Sequence, residues 1–455
     1  MSKQGKASAE VFLPWVYRSV IPVGGTPASA NGKSTSAAES QRISTNEETV
    51  LFCIDKNNNC KIGLPPAAEG DNYHRRAMEL GKLENVSHVF FNPGGEMFVV
   101  RGHELYKGPT PSARWNDWFQ LAKCVGSGIW DQFKFLFFSP GGILYAVTKP
   151  GVFYKGPEPS NKHISWLHKQ ATVIGGGDWQ YFDALIFDPE GIMYGVWFDL
   201  LRKNPPVTNI LGEWAVTSVI VGKGWRNYSY FMGFSYDGDL WCVSNNNGIM
   251  YSAPPPTQPD YPWIDRAQRM GSDYRTYKHM KFTQDKTIQK VLTLDFLLDD
   301  GKILETQPEV VALQEYNNKG STSPLKCTFE INKTCVAETQ FTHEHGFTFG
   351  LDAETTFKAK IPFVGEAGTS ISATTSTSHT WNFATVNRIE THYKTSSTFD
   401  LLPGKAVQQK AVVHRATIDV PYMAEIITVF GYKTIVTGIW KGASYFNLKV
   451  LQVDI

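Results

Sequence analysis

The sequence has no long hydrophobic run and almost no net charge. None of its apolar stretches approaches the roughly 18 residues that a membrane-spanning helix needs. The most apolar N-terminal stretch, residues 11–23, is interrupted by Pro14 and Arg18, so no signal peptide is predicted. Lysine and arginine number 44 against 43 acidic residues, which gives no electrostatic reason to expect nucleic acid as a partner. We therefore expect a protein that is made soluble and would meet a membrane from water.

The chain also lacks the patterns of catalytic and metal sites. Its 6 cysteines include no Cys-x-x-Cys pair, so the spacing typical of zinc sites is absent. No nucleophile–base pattern is present, and neither an enzyme nor a cofactor nor a metal is predicted. Two cysteine pairs flank short segments and could each clip a hairpin or remain as buried free thiols: Cys53 with Cys60, and Cys327 with Cys335.

A repeat dominates residues 49–285. The sequence FFSPGGILYAV at 137–147 resembles the stretches at 90–100 and 186–196, and weaker copies begin near residues 233 and 281. Each copy contains short runs of β-branched and aromatic residues broken by Pro-Gly or Asp-Gly turns, which is typical of strands. The aligned phenylalanines are 47, 49, 47 and 48 residues apart: Phe91, Phe138, Phe187, Phe234 and Phe282. A strand-rich period of this length predicts four-stranded propeller blades, here five, with terminal strands closing the ring.

A second set of motifs lies between these strands. The sequence Tyr-Lys-Gly-Pro at 106–109 recurs at 154–157 and decays in the later units. An aromatic residue follows in each unit: Tyr73, Trp118, Trp166, Trp214 and Trp263. A glycine-rich stretch then leads to a second aromatic residue in four units: Trp130, Trp179, Trp225 and Tyr274.

Together these motifs resemble the repeat of tachylectin-type five-bladed propeller lectins. The resemblance implies sites for N-acetylated sugars such as N-acetylglucosamine, one between each pair of neighbouring blades. Aromatic faces suit a pyranose ring, glycine admits close backbone approach, and repetition makes weak sites avid. The candidate sugar-binding residues are Asn116, Asp117, Trp118, Gly128, Trp130, Trp166, Gly177, Trp179, Trp214, Trp225, Trp263 and Tyr274. A repeated tryptophan can equally be core packing, and the first unit lacks Gly-Gly-Trp, so some blades are expected not to bind.

After about residue 285 the repeat stops, and Thr, Ser, Val, Ile and Ala dominate. From residue 347 to 361 the odd positions are mostly apolar and the even positions are mostly polar or charged, with the period of two of a half-buried strand. The chain then turns through residues 361–368 and returns through 369–380. A membrane strand needs about 9–11 such residues, so each arm is long enough to cross. Only several hairpins together could close a barrel and satisfy every backbone group in lipid.

This segment, the Pro-marked strand at 401–405 and the motifs at 420–422 and 438–442 resemble the aerolysin family of β-pore-forming proteins. The resemblance implies a tucked-away hairpin, the prestem, over about residues 343–383, with its tip at 361–364. The resemblance further implies that, after oligomerisation, the prestem becomes two strands of a transmembrane barrel. The candidate membrane-inserting residues are Phe347, Phe349, Leu351, Phe357, Ile361, Pro362, Phe363, Val364 and Ile371. An elongated β-domain with static strands is the alternative.

The sequence thus predicts an all-β protein with three parts: a flexible arm over residues 1–48, a five-bladed propeller lectin domain over 49–285, and an elongated aerolysin-like twisted sheet domain over 286–455. Its predicted partners are cell-surface glycans, a lipid membrane and further copies of itself in the pore state. We expect it to be secreted or released. Two alternatives stay open: a soluble multivalent lectin whose C-terminal half only oligomerises, and a storage protein with a degenerate propeller. His343 and His345 would share one face of a strand, and a pH-responsive role is favoured for them over a metal site.

Overall fold

A computed structural model describes residues 49–207, 214–343, 346–375 and 378–455. The predicted arm over residues 1–48 lies outside the described residues. Strands dominate the rest, as the alternating and short apolar runs predict. Short helical turns in the first half contain the aromatic residues of the repeat. Three are α-helical: α1 (Tyr73–Arg76), α2 (Trp214–Thr217) and α3 (Trp263–Arg266). Tighter or wider turns lie at Trp118–Gln120, Trp130–Gln132, Trp166–Gln170, Gly177–Tyr181, Trp225–Tyr228 and Tyr274–Thr276.

The first half is a propeller of five antiparallel four-stranded sheets. The first blade contains β1 (Thr49–Asp55), β2 (Asn59–Gly63) and β3 (Met78–Lys82); the second contains β4 (Val86–Phe91), β5 (Met97–Arg101), β6 (Glu104–Gly108) and β7 (Lys123–Gly126). The third contains β8 (Phe133–Phe138), β9 (Leu144–Thr148), β10 (Phe153–Gly156) and β11 (Thr172–Gly175). The fourth contains β12 (Phe182–Phe187), β13 (Met193–Trp197), β14 (Leu200–Asn204) and β15 (Val219–Lys223), and the fifth β16 (Phe231–Phe234), β17 (Leu240–Val243), β18 (Met250–Ala253) and β19 (Gln268–Gly271).

The ring closes with a strand from the far end of the repeat. β20 (Tyr277–Gln284) pairs antiparallel with β1, placing Phe282 opposite Leu51, and becomes the missing strand of the first blade. Closure in this way hides two strand edges that would otherwise be open. The predicted five blades and the predicted closure by terminal strands are therefore confirmed.

The second half is built on much longer strands. They are β21 (Thr287–Phe296), β22 (Lys302–Asn317), β23 (Leu325–His343), β24 (Thr348–Glu354), β25 (Thr356–Ala359), β26 (Pro362–Val364), β27 (Ile371–Ala373), β28 (His379–Asn382), β29 (Asn387–Leu401), β30 (Ala406–Thr428) and β31 (Lys433–Asp454), with a helical turn at Leu298–Asp300. The main sheet has the order β24-β21-β30-β31-β23-β29, and β22 also pairs with β30. β30 and β31 contain 23 and 22 residues and pair along nearly their whole length. The sheet core lies around Trp381, Tyr422 and Trp440.

The turn between β30 and β31 anchors this sheet to the propeller. The Tyr432 hydroxyl donates to the Thr49 carbonyl at 2.7 Å, and the Phe430 backbone N–H donates to the buried Asp285 carboxylate at 2.8 Å. The side chains of Phe430 and Tyr432 pack against the core between the first two blades. The two halves are thus in direct contact, while the predicted division at residue 285 stays an interpretation.

Candidate functional site

The two aromatic positions of the repeat meet in pairs inside the propeller. Each second aromatic packs against the first aromatic of the following unit, and every member is at most 6% exposed. The ring centroids are 5.7 Å apart for Trp130 and Trp166, 5.7 Å for Trp179 and Trp214, 5.0 Å for Trp225 and Trp263, and 6.2 Å for Tyr274 and Tyr73. In the unit without a second aromatic, Leu80 and Leu83 share a core with Trp118. These candidate sugar-binding residues therefore form the core between blades, and their contact with sugar stays a prediction.

This packing explains the glycines of the repeat. A Cβ atom at Gly126 would lie 2.2 Å from the Trp130 Nε1 atom, closer than any side chain tolerates. The equivalent distances are 2.1 Å from Gly175 to Trp179 and 2.0 Å from Gly222 to Trp225. In these three stretches the first glycine is thus required by the indole ring that covers it.

The Tyr-Lys-Gly-Pro motif has a matching structural role. The indole N–H of the following tryptophan donates to the carbonyl of the proline position nine residues earlier. The distances are 2.7 Å for Trp166 to Pro157, 3.0 Å for Trp214 to Pro205 and 2.7 Å for Trp263 to Pro254. In these three units the motif position supplies the acceptor for the tryptophan, whereas the buried indole N–H of Trp118 in the second unit has no hydrogen-bond partner.

The non-aromatic candidates of the propeller are exposed. They are Asn116, Asp117, Gly128 and Gly177. The Asp117 carboxylate accepts from the Phe119 backbone N–H at 3.0 Å and so caps the turn that carries Trp118. Gly128 has a φ of 104° and open space where a Cβ would be, so its backbone is accessible from solvent. At these four positions the surface thus offers a ligand backbone groups and short polar side chains.

A polar pocket of about 390 Å³ lies between the second and third blades. It is lined by Lys123, Cys124, Ser160, Asn161, Lys162 and His163. The Ser127 hydroxyl donates to the Lys162 carbonyl at 2.9 Å, which ties the loop before Trp166 to the neighbouring blade. Inside the loop, the Asn161 carboxamide accepts from the His163 backbone N–H at 3.0 Å. Sequence reasoning missed these residues, although their position just ahead of a repeat tryptophan could have indicated them.

The aligned phenylalanines of the repeat line the end of the central channel. A cavity of about 370 Å³ there is bordered by Phe91, Phe138, Phe187, Phe234 and Phe282, together with the polar residues that follow several of them in sequence. Each of the five ends or nearly ends an innermost strand. The strongest marker of the repeat therefore defines the propeller axis.

The predicted prestem lies folded against the long sheet. β25 pairs with β28, placing Phe357 opposite Trp381, and β26 pairs with β27. Phe357, Val364, Trp381 and Phe383 are at most 7% exposed and share a core with Phe341, Tyr422 and Trp440 from the sheet; Phe347, Phe349, Ile361 and Ile371 pack against it. The even positions Asp352, Glu354, Lys358 and Lys360 are exposed. The predicted alternation thus has its apolar face toward the protein core.

The chain reverses later than the predicted tip. The turn lies at residues 365–370, where the Gly368 N–H donates to the Gly365 carbonyl at 2.8 Å. Pro362 to Val364 form β26, and their alternation is shifted, because Pro362 and Val364 are buried while Phe363 is 36% exposed. The side chain of Leu351 lies outside the described part of the chain. The roles of these residues in a membrane stay predictions.

His343 lies where the prestem leaves the sheet. Its Nδ1 atom is 2.8 Å from the Tyr422 hydroxyl, and its ring is 4.4 Å from Phe383 and 5.3 Å from Phe349. Burial lowers the pKa of His343 below its ordinary value of 6.5, so the ring is neutral at pH 7. His345, its predicted partner, lies outside the described residues.

Within the described residues, neither the cysteines nor the possible metal ligands form a further candidate site. All 6 cysteines are free, and burial raises the pKa of Cys60 to about 12, which makes it an inert thiol. In the described ranges no cluster of three metal-ligating side chains occurs. Nor does any helix in them have the length and apolar character to span a membrane.

Comparison with known proteins agrees with this architecture. Residues 53–279 match the family model described as Tachylectin, and the propeller half of the chain belongs to that family. A solved structure from work on the de novo evolutionary emergence of a symmetrical protein is 30% identical, covering 51% of this chain and 98% of that chain with a TM-score of 0.47.

Other similar structures extend into the second half. Lamprey immune protein is 15% identical, covering 69% of this chain and 87% of that chain, with a TM-score of 0.30. An aerolysin-like protein of Bombina maxima is 9% identical, covering 36% of this chain and 99% of that chain, with a TM-score of 0.24. The chain therefore joins a propeller of the Tachylectin family to a domain built on one long-stranded sheet.

Proposed function

We propose that this protein binds N-acetylated glycans on a cell surface through its propeller and then forms a pore with its C-terminal half. The observation that carries the proposal is the prestem, an amphipathic segment stored as short strands on a sheet of much longer ones. Its apolar side chains, among them Phe357 and Trp381, are buried against the sheet and would become available for lipid on release.

The pocket between the second and third blades is the proposed sugar site. Its volume of about 390 Å³ is at the small end of ligand pockets, which suits one sugar residue. Asn161 and Ser160 supply donors and acceptors for hydroxyl and acetamide groups, and Lys123 and Lys162 supply further donors. Beneath the pocket, the buried rings of Trp130 and Trp166 pack against each other between the two blades.

Membrane insertion follows from the length and pattern of the prestem. Each arm is longer than the about 9–11 residues that one tilted strand needs to cross a bilayer. A single hairpin would leave backbone groups unsatisfied in lipid, so several chains must contribute hairpins to one closed barrel. Binding to glycans raises the local concentration of chains and so favours this assembly by mass action.

Leakage of a dye from liposomes tests the proposal. Vesicles with and without an N-acetylated glycolipid would be mixed with the full chain. We expect release that depends on the glycolipid and is inhibited by free N-acetylglucosamine. Binding without release would show that the C-terminal half does not form a pore under these conditions and would contradict the proposal.

A soluble multivalent lectin is the second candidate, and one observation favours it. β22 pairs with β30 along one side, and among the described residues no strand pairs with its other edge. The apolar side chains Leu304, Val310 and Leu313 are each more than half exposed along it. Such an edge would suit association of copies without any membrane step. Agglutination of glycan-bearing particles without leakage would support this alternative.

A further inference from the structure

A second cavity continues the interblade pocket toward the prestem. It has a volume of about 660 Å³ and shares Lys123 and Ser160 with the proposed sugar pocket. Its propeller walls include Glu96, Lys107 and Glu158, and its far wall is formed by Gly346, Phe347 and Thr348 at the start of the prestem. The two cavities therefore form one groove that starts between blades and ends at the C-terminal half.

A polar network lines the middle of this groove. The Lys107 ammonium lies 2.6 Å from a Glu96 carboxylate oxygen and 2.5 Å from a Glu158 carboxylate oxygen. The buried Asn92 carboxamide donates to both carboxylates at 2.8 Å and accepts from the Glu96 backbone N–H at 2.9 Å. Each carboxylate keeps further lone pairs, and both side chains are partly exposed to the groove. With Lys123, which also lines this cavity, two ammonium groups balance the two carboxylates. Such a set of donors and acceptors suits a neutral, polyhydroxylated ligand.

The repeat shows that this network is special to one interface. The positions equivalent to Glu96 in the third, fourth and fifth blades are Ile143, Ile192 and Asp239. The positions equivalent to Glu158 in the other units are Pro65, Thr110, Pro206 and Pro255. The carboxylate pair thus occurs once, at the interface where the prestem lines the cavity. Core packing common to all blades does not account for a feature that only one interface has.

Contacts fix the far wall in place. The Thr348 N–H donates to the Lys286 carbonyl at 3.0 Å, and the Lys286 ammonium lies 5.8 Å from the centre of the Phe347 ring. Gly346, with a φ of 73°, lies against the carbonyl of Gly94 in the second blade. The Phe347 side chain is partly buried against the sheet core, so the wall exists only while the prestem is docked.

We propose that this groove binds an N-acetylated oligosaccharide of two or more units, with its far end against Phe347 of the docked prestem. The inference rests on the proposed function for the first sugar unit and extends it to further units. Because the ligand contacts the prestem only in the docked state, it stabilises docking, and docking in turn raises its affinity. The second half of the chain therefore contributes to glycan specificity.

Calorimetric titration of the full chain with N-acetylglucosamine and its β1,4-linked dimer and trimer tests this inference. We expect one site per chain to bind the trimer about tenfold or more tightly than the single sugar. Glu158→Gln and Phe347→Ala, on opposite walls, should each reduce this gain while leaving affinity for the single sugar unchanged. Asp239→Asn, at the Glu96 position of the fifth blade, is the matched control and should retain the gain.

A second readout follows from reciprocity. The trimer, but not the single sugar, should slow trypsin cleavage after Lys358 and Lys360 on the exposed face of the prestem. Binding of the single sugar without any gain for the trimer, or a gain that survives both variants, would overturn this inference and leave the proposed function intact. Failure to bind the single sugar as well would overturn both.

Discussion

The two halves of this chain are built differently, yet in both of them the candidate site lies where the regular structure is interrupted. The propeller repeats one unit five times in strands of four to eight residues, whereas the second half uses unrepeated strands of up to 23 residues. In the propeller the residues shared by all units are structural, and Glu96 and Glu158, which break the repeat, line the groove. In the second half the segment that departs from the long strands is the prestem. Departures from the regular pattern, rather than the pattern, mark the candidate sites.

Tethering the prestem to the sheet should have the largest effect on the second half. The Val364 N–H donates to the Ser444 hydroxyl at 3.0 Å, so the two residues are in direct contact and are chosen as the positions for a disulfide tether. Val364→Cys with Ser444→Cys should abolish dye release when oxidised and restore it on reduction, with glycan binding unchanged. Ser444→Cys alone is the control. Undiminished leakage by the oxidised double variant would show that the prestem need not leave the sheet.

In the propeller, substitution of a repeat residue in the core should mainly lower stability, whereas substitution of a surface residue in the proposed sugar pocket should mainly weaken glycan binding. Trp166→Ala removes a buried ring between blades and should lower the free energy of unfolding by about 3–5 kcal/mol. Asn161→Ala should change it by less than about 0.5 kcal/mol yet weaken glycan binding. Denaturant unfolding and glycan titration of both variants make the comparison. Intact binding in Asn161→Ala together with normal stability in Trp166→Ala would reverse our assignment of structural and ligand-contacting roles.

A fall in pH should weaken docking of the prestem on the sheet, because it protonates His343. Its pKa is lowered by burial, so the released state binds the proton better than the docked state does. Docking is then at full strength above pH 6.5 and weakens as pH falls below 6.5 toward the docked-state pKa. Dye release should rise over this range by up to about tenfold for each unit by which the pKa is lowered. Among the described residues, Tyr422, Phe349 and Phe383 contact this ring, and all three are uncharged at neutral pH.

His343→Gln should make this part of the pH dependence flatter, because glutamine does not titrate. His392→Gln, at an exposed histidine of β29, is the matched control and should leave it unchanged. An identical acid response in wild type and His343→Gln would assign the response to other groups.

Weakening the contact between the propeller and the sheet domain should have the smallest effect on stability. Tyr432→Phe removes the hydrogen bond from the hydroxyl to the Thr49 carbonyl and should cost about 1 kcal/mol. Thermal unfolding measures it, and Tyr181→Phe, on an exposed ring of the propeller, is the control. No difference between the two variants would mean that this contact does not hold the halves together.

The sequence predicted the fold of the propeller better than its site. Five evenly spaced phenylalanines were enough to predict five blades and ring closure. An aromatic ring, however, can equally pack in a core or stack on a sugar. Whether a given ring is buried depends on residues of the neighbouring blade. Trp130 and Trp166 are 36 positions apart in sequence, so their packing was not visible in either motif.

The second half shows the same limit in another form. Alternation from Phe347 to Ile361 correctly predicted which face is buried. It did not predict where the chain reverses, because β26 begins at Pro362 with its buried side chains shifted by one position. The local sequence pattern determines which face of a strand is buried, whereas the pairing of short strands depends on the sheet against which they pack.

Dye release from liposomes that do or do not carry an N-acetylated glycolipid distinguishes a glycan-targeted pore-forming protein from a soluble lectin. We expect rapid release with the glycolipid, little without it, and none from the oxidised Val364→Cys, Ser444→Cys variant. Tight binding to the glycolipid vesicles with no release, at neutral pH or at pH 5.5, would contradict this expectation.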